Sequence, residues 1–318
     1  MTGAGRPDRW VVAIGGNALA NPHHPGELAR QGERAASLAG PLVDALARGK
    51  QLIIVHGNGP QVGARLIQSE TARSQVPPLP LHVLVAETQG QMGHYLALAL
   101  STQTARRPAP VPVICVVTHV LVDPRAPEFA HPSKPVGPTY PEEDARRLAV
   151  ERHWDVREVA GGGWRRVVPS PRPLAVIEQA SINRLVEEGA CVIAGGGGGV
   201  PVARGEKGLY GIDAVVDKDY AAERIATAAR ATRLVVLTDV PGAALSFGKK
   251  GQEYLKEMTV TQAREHLARG EFAPGSMAPK IEACIEFVQS GGSEAVIAAV
   301  GAAGAALRGG AGTRILPD

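Results

Sequence analysis

The feature that most constrains this chain is a recurring unit: a short β-branched run that stops at glycine. Trp10-Val11-Val12-Ala13-Ile14 ends at Gly15-Gly16, Gln51-Leu52-Ile53-Ile54-Val55 runs into Gly57-Asn58-Gly59-Pro60, and Cys191-Val192-Ile193-Ala194 meets five consecutive glycines, Gly195 to Gly199. Runs this short and this apolar predict strands buried on both faces. Helical spacing is found over 27–48, interrupted at Gly40-Pro41, and over 61–73, 81–100, 174–188, 219–230, 260–267 and 280–289. Further strands are expected over 111–122, 233–237 and 295–299, a hairpin after Gly199, and an edge strand over 312–315. Strands alternating with helices imply a mainly parallel sheet covered on both faces, an α/β fold. Between residues 123 and 173 proline, arginine and glycine crowd in and the periodicity weakens, which predicts an inserted subdomain or lid.

Composition excludes several classes. With 318 residues, 44% hydrophobic and 20% charged, the chain reads as an ordinary globular protein with ample mass for a core. A formal charge of +3 is too small to imply nucleic acid or an anionic membrane as partner. Cys115, Cys191 and Cys284 are far apart in apolar contexts, as expected of reduced core thiols in a cytoplasmic protein. Residues 1–10 lack an apolar signal core, and the bland stretch over 295–307 is too short to span a bilayer.

Glycine lets backbone N–H groups approach an anion, so three glycine turns at equivalent strand ends predict a shared phosphate crevice. The chain has no G-x-x-x-x-G-K-[ST], and Gly57-x-Gly59-x-x-x-Gly63 has the wrong spacing for a dinucleotide fold. No H-E-x-x-H is present, His23-His24 stand in a proline-flanked loop, and Ser276 lacks a nucleophile elbow. The remaining signal is lysine in stiff settings: Lys134 in Pro132-Ser133-Lys134-Pro135, Lys218 between Asp217 and Asp219, and Lys280 after Gly275-Ser276-Met277-Ala278-Pro279. Phosphoryl transfer needs positioning and positive charge more than covalent chemistry, and fixed lysines with glycine N–H groups supply both. Asp219 reads either as a helix cap or as the acceptor that aims two lysines; Asp217 has the same options, or holds magnesium through water.

Several long motifs occur in the order of one known family. Val12 to Leu19, His56 to Gly63, Thr88-Gln89-Gly90, Pro132 to Pro138, Trp164 to Pro171, Ala194 to Val202, Asp213 to Asp219 and Phe272 to Lys280 together resemble the carbamate kinases of the amino acid kinase superfamily. The resemblance covers residues 11–315. It implies a three-layer α/β/α sandwich in a single domain over 1–318, a protruding subdomain, a homodimer, and the reaction ATP + carbamate ⇌ ADP + carbamoyl phosphate with Mg2+, run towards ATP in arginine catabolism. It places the phosphoryl acceptor in the first half of the chain and the nucleotide over 190–318. Carried over, Gly15, Gly16, Asn17, Gly57, Asn58, Gly59 and Gln61 bind the carbamoyl phosphate and transferred phosphoryl. Lys134, Lys218, Lys280 and Asp219 are catalytic. Gly196, Gly197, Asp217, Thr238, Asp239, Val240, Gly275, Ser276 and Met277 bind nucleotide; the metal ligands are not identified. One departure stands out: Pro241-Gly242-Ala243-Ala244 replaces the residues that usually wall the adenine pocket, implying a reshaped base pocket. A kinase for another small carboxylate or phosphonate, or a non-catalytic sensor of nucleotide or carbamoyl phosphate, shares the fold; the Lys134 motif with Gln61 and Gln89 argues against the first, and the intact lysines and aspartates against the second.

Overall fold

Alternation along the first strand already sets the layering. In β1 (Arg9–Ile14), Trp10, Val12 and Ile14 enter one apolar cluster while Val11 and Ala13 enter another. A strand whose period of two is apolar on both sides must be covered twice. The computed structural model describes residues 8–19, 28–159 and 162–318; Glu27 and His23-His24 lie outside the described residues.

After β1 come α1 (Leu28–Ala47), β2 (Gln51–His56), α2 (Gly59–Thr71), α3 (Leu81–Thr104), β3 (Val113–Cys115) and β4 (His119–Leu121). The 123–173 span contains α4 (Pro127–Ala130), β5 (Lys134–Tyr140), α5 (Glu142–Arg152), β6 (Asp155–Glu158) and β7 (Trp164–Val168). Then follow β8 (Ala175–Val176), α6 (Gln179–Glu187), β9 (Cys191–Ile193), β10 (Val200–Gly205), β11 (Gly208–Gly211), α7 (Lys218–Ala228) and β12 (Arg233–Thr238). The chain continues through β13 (Ala244–Leu245), β14 (Glu253–Tyr254), β15 (Glu257–Thr259), α8 (Val260–Ala268), α9 (Met277–Gln289), β16 (Glu294–Ala299), α10 (Ala303–Ala306) and β17 (Thr313–Leu316).

The large sheet has the order β15-β17-β16-β12-β1-β2-β9-β3 and is parallel except where β16 meets β17. One face packs on Ala35, Leu38 and Leu42 of α1 and Met92, Leu96 and Leu100 of α3. The other packs on Ala222 and Ile225 of α7 and Ile281, Cys284 and Phe287 of α9. At ~1.5–3 kcal/mol for each large aliphatic or aromatic side chain fully buried, these two interfaces dominate the stability of the domain. From β1 the chain moves outward to β2 on one side and later returns to β12 on the other. The β1/β12 junction is therefore a topological switch point, where open α/β sheets bind ligands beyond their carboxyl strand ends.

Three smaller features position the site. A four-stranded sheet, β11-β10-β4-β8, lies beside the large one. From its neighbouring strands β4 and β8 the 123–173 span departs and returns, with Leu174 N–H donating to the Leu121 carbonyl at 2.8 Å. Within that span β5, β7 and β6 form their own antiparallel sheet. Val136 and Val168 of this sheet join Val62 and Leu66 of α2 in a third apolar cluster.

Several elements differ from the sequence expectation. The strand over 111–122 is two strands in two sheets, because Gln89 takes both the N–H and the carbonyl of Thr118, at 2.9 and 3.0 Å, and turns the chain between them. Residues 175–176 pair with β4, so the helix expected from Leu174 begins at Gln179. Helix α1 runs through Pro41, since burial of Ala39, Leu42 and Val43 outweighs the hydrogen bond that proline removes. The edge expected over 312–315 is internal: β17 pairs with both β16 and β15. Cys191 and Cys284 are buried, and burial pushes the Cys191 thiol up to about 12. Cys115 is exposed on the edge strand β3, not in the core.

His56 closes β2, fully buried, with Nδ1–H donating to the Gly57 carbonyl at 3.1 Å. Burial lowers its pKa from 6.5 to about 4, so the ring is neutral at pH 7. Below pH 6.5 the unfolded chain takes up the proton and the folded one does not. Stability is therefore complete above pH 6.5 and falls as pH drops towards 4, by about 3 kcal/mol in all. Urea unfolding of wild type and His56→Gln across this window should show a shallower slope in the variant; equal slopes would remove the assignment.

Candidate active site

The turn after β1 meets the turn after β2 backbone to backbone. Gly15 N–H donates to the Leu237 carbonyl at 2.9 Å and Gly57 N–H to the Ile14 carbonyl at 2.8 Å, the last rungs before the strands part. A Cβ on Gly57 would lie 2.5 Å from the Gly16 nitrogen, so no other residue fits that contact without separating the turns. Helix α2 starts directly after, with Pro60 in its first turn. Its cap residue Asn58 does not cap: the side-chain amide donates to Thr88 Oγ1 at 2.8 Å instead. The first N–H groups of α2 are thus left for an anion.

The third turn closes the far wall. Gly197 has φ +65, and a Cβ there would lie 2.1 Å from Asn58 Nδ2. Thr118 Oγ1 accepts from Gly195 N–H at 2.9 Å, so Gln89 and Thr118 brace the glycine run from behind. Unlike the second turn, this one leads into strand β10 and not a helix, so it contributes shape and backbone groups without a long helix dipole.

Opposite the turns stand the cations. Asp217 caps α7, its Oδ1 accepting from Asp219 N–H at 3.0 Å, and its Oδ2 accepts from Lys134 Nζ at 2.7 Å. Burial alone would raise this carboxyl, but the charges of Lys134 and Lys218 overcome that and hold it at about 2. Asp219 is 1% exposed and accepts from Lys218 through Oδ1 and from Lys280 through Oδ2, the latter at 3.0 Å. Lys280 Nζ also donates to the Ser276 carbonyl at 3.1 Å. Burial would lower the Lys280 pKa, but Asp219, with Asp217 and Cys284 behind it, raises it on balance, so the ammonium stays charged. Two carboxylates therefore aim three ammonium groups, and Asp219 is an anchor and not the helix cap.

These groups share one cleft of about 960 Å³ at the switch point. Gly15, Gly16, Asn17, Gly57, Asn58, Gly59, Lys134, Gly197, Asp217, Lys218, Asp219, Thr238, Asp239, Gly275 and Lys280 all line it. Gln61, Gly196, Val240, Ser276 and Met277 do not. Gln61 is buried in α2, Gly196 lies behind the wall against His56, Ser276 meets Lys280 through its carbonyl while its hydroxyl turns to the Ala273 carbonyl, and Met277 packs on the core. Pro241 and Gly242 stand outside the lining as well. Gly242 leaves no room for a Cβ beside Thr313 Oγ1, which accepts from Ala243 N–H at 2.8 Å and pins this segment to β17.

The sequence expectations missed Arg165, which lines the cleft and donates twice to the Gly137 carbonyl, at 3.1 and 2.7 Å. Its signal was the arginine pair in Trp164-Arg165-Arg166, which carried no assignment. Asn17 Nδ2 donates to one oxygen of Asp239 at 3.1 Å, joining the β1 and β12 turns. Among the described residues no three His, Cys, Asp or Glu side chains gather to hold a metal, and no helix is long and apolar enough to cross a membrane.

Residues 8–299 match the model of the amino acid kinase family. This chain belongs to that family. Within the family, it is 42% identical to the carbamate kinase of Pyrococcus furiosus over 97% of this chain and 99% of that one. It is 44% identical to the carbamate kinase of Halobacterium salinarum over 96% and 98% of the two chains. Among solved members, the carbamate kinase of Giardia lamblia bound to AMP-PNP superposes with a TM-score of 0.91 at 37% identity, covering 98% of this chain and 99% of that one. The family fold, a large mostly parallel sheet between two helical layers, is the one built above.

Proposed function

We propose that the chain catalyses ATP + carbamate ⇌ ADP + carbamoyl phosphate, running towards ATP where carbamoyl phosphate from arginine is broken down. The observation that carries this reading is the convergence of Lys134, Lys218 and Lys280, aimed by Asp217 and Asp219, on glycine turns at one switch point. Near-full-length identity of about 42% to carbamate kinases selects the acceptor.

In the ATP-forming direction, an oxygen of the ADP β-phosphate attacks phosphorus, the bond from phosphorus to the carbamoyl oxygen breaks, and carbamate leaves with that electron pair. The N–H groups of the Gly15-Gly16 and Gly57 to Gly59 turns hold the phosphoryl oxygens in line. Lys218 and Lys280 neutralise charge on the nucleotide side, and Lys134 faces the carbamoyl side, so the migrating group is compensated along its path. Mg2+ accompanying the nucleotide would be held by phosphate oxygens and water, with Asp239 the cleft carboxylate that keeps an oxygen free of partners among the described residues, and would offset phosphate charge. Both oxygens of Asp217 and of Asp219 are already taken.

A coupled assay for ATP formed from ADP and carbamoyl phosphate tests the proposal. Turnover of ~1–100 s⁻¹ is expected; nucleotide binding without turnover would make the chain a sensor.

Lys134 opens β5, on the 123–173 excursion, which meets the body through Val136 and Val168 against Val62 and Leu66 and through Phe129 against the main core. This excursion is proposed to act as a lid that brings Lys134 onto bound substrate. Limited proteolysis should cut within 123–173 more slowly when ADP and carbamoyl phosphate are present. Equal cutting rates would contradict closure. A homodimer in the cytoplasm completes the proposal; the open edge of β3, with Val117 and Leu98 exposed nearby, is the face offered to a second copy.

A further inference from the structure

At the opposite end of the large sheet from the cleft lies a second hollow, of about 750 Å³, formed where β1, β2, β12 and β16 begin. Its wall is cationic. Arg48 and Lys50 come from the loop before β2, Arg233 from the start of β12, Arg308 from the turn after α10, and Arg314 from β17.

Some of that charge is compensated. Glu294 pairs with Arg233 and Arg314, each at 2.9 Å, Glu257 with Arg314 at 3.5 Å, and Asp8 with Lys50. The side chains of Arg48 and Arg308 have no hydrogen bond or ion pair among the described residues. Five cations thus meet three carboxylates, and the surplus faces the hollow.

Two of the charged heads are also fixed in place. The Trp10 ring lies 5.3 Å from Lys50 Nζ and 4.9 Å from the Arg233 guanidinium carbon, while its Nε1–H donates to Asp8 at 2.6 Å. Arg233 donates onward to the Leu307 and Ala306 carbonyls at 3.4 and 3.3 Å. Cation–π and hydrogen-bond contacts of this kind remove side-chain freedom that an anion would otherwise have to restrict on binding.

We propose that this hollow binds an anion carrying two or more linked phosphoryl groups. Arg48 and Arg308 keep their planar forks, which match phosphate oxygens two at a time, while Arg233, its fork taken by Glu294 and two carbonyls, adds charge alone. The hollow has the space of roughly two dozen waters at ~30 Å³ each, far more than one tetrahedral anion fills. Arg48 and Arg308 line it from separate segments, the loop before β2 and the turn after α10, and a linked anion offers each its own phosphoryl group. The inference does not depend on the reaction proposed for the cleft.

Equilibrium dialysis with radiolabelled pyrophosphate in low-salt buffer tests it, comparing the full-length wild type with Arg48→Ala/Arg308→Ala. The wild type is expected to bind one more equivalent per chain than the double variant, whatever the active cleft binds in both. Each single substitution is expected to weaken that extra equivalent at least ~10-fold. Unchanged circular dichroism and kinase turnover in the double variant establish that it is folded. The same pyrophosphate stoichiometry and affinity in both proteins overturns the site. An equal difference with orthophosphate overturns the linked-phosphoryl assignment.

Discussion

Lys280→Ala and Lys218→Ala are each expected to lower the turnover number at least ~10²-fold while the protein stays folded. A charge-assisted hydrogen bond to a phosphoryl oxygen is worth ~1.5–3 kcal/mol, and a donor aimed at developing charge in a closed site ~2.7–4 kcal/mol. The upper figure corresponds to roughly a thousandfold in rate. Stability should respond differently because the two lysines share one acceptor. Asp219 is almost fully buried and holds both ammonium groups, so either single variant leaves it one partner. Removing both strands a buried carboxylate, a loss of ~3–5 kcal/mol. Two single variants that are catalytically crippled with modest shifts in thermal midpoint are therefore expected, and a double variant destabilised by more than the sum of the two. Steady-state kinetics alongside thermal melts distinguish the outcomes. Single variants turning over near the wild-type rate would remove the proposed roles.

Gly57→Ala is expected to cost as much activity by a different route. The added methyl would lie 2.5 Å from the Gly16 nitrogen and 2.9 Å from its Cα, both backbone atoms that cannot rotate away, and 3.2 Å from Lys218 Cδ. The first two glycine turns must then separate. Overpacking of this kind destabilises by ~1–3 kcal/mol, and an ångström of misplacement at a reacting centre costs ~10²-fold in rate. Gly59→Ala provides the stability control, since a methyl added there would meet nothing within 4 Å and a melt close to wild type is expected. A Gly57→Ala protein with wild-type melting and kinetics would show that the turns do not need their close approach.

Much of this site was legible because glycine and stiff neighbours mark it in the chain. The runs Val11 to Ile14 and Leu52 to Val55 could only be buried strands, and the glycines ending them had to lie at the same sheet edge once the strands proved parallel neighbours. Lys134, Lys218 and Lys280 stood out by their proline and aspartate neighbours, and all three reach the cleft. Long-range contacts were less visible. Which of Asp217 and Asp219 caps α7 is not marked in the chain, because the carboxylate of Asp219 is taken by Lys280, 61 residues away, which leaves the cap to Asp217. The bracing of the glycine run pairs Gln89, whose motif carried no partner, with Thr118, 29 residues away. Gln61 shows the converse: its motif places it beside the second glycine turn, but the turn of α2 buries its side chain away from the lining. Residues 111–122 read as one strand because apolar patterning reports burial and not which sheet supplies it.

The most direct test is a crystal structure with ADP, Mg2+ and a planar or tetrahedral mimic of the phosphoryl group in flight, such as aluminium fluoride, together with carbamate. The mimic is expected between the Gly16 and Gly57 turns, with the Nζ atoms of Lys134, Lys218 and Lys280 converging on it and on the oxygens it bridges. A mimic seated elsewhere, or those ammonium groups still bound only to Asp217 and Asp219 and directed away from it, would contradict the convergence of charge on which the proposed reaction depends.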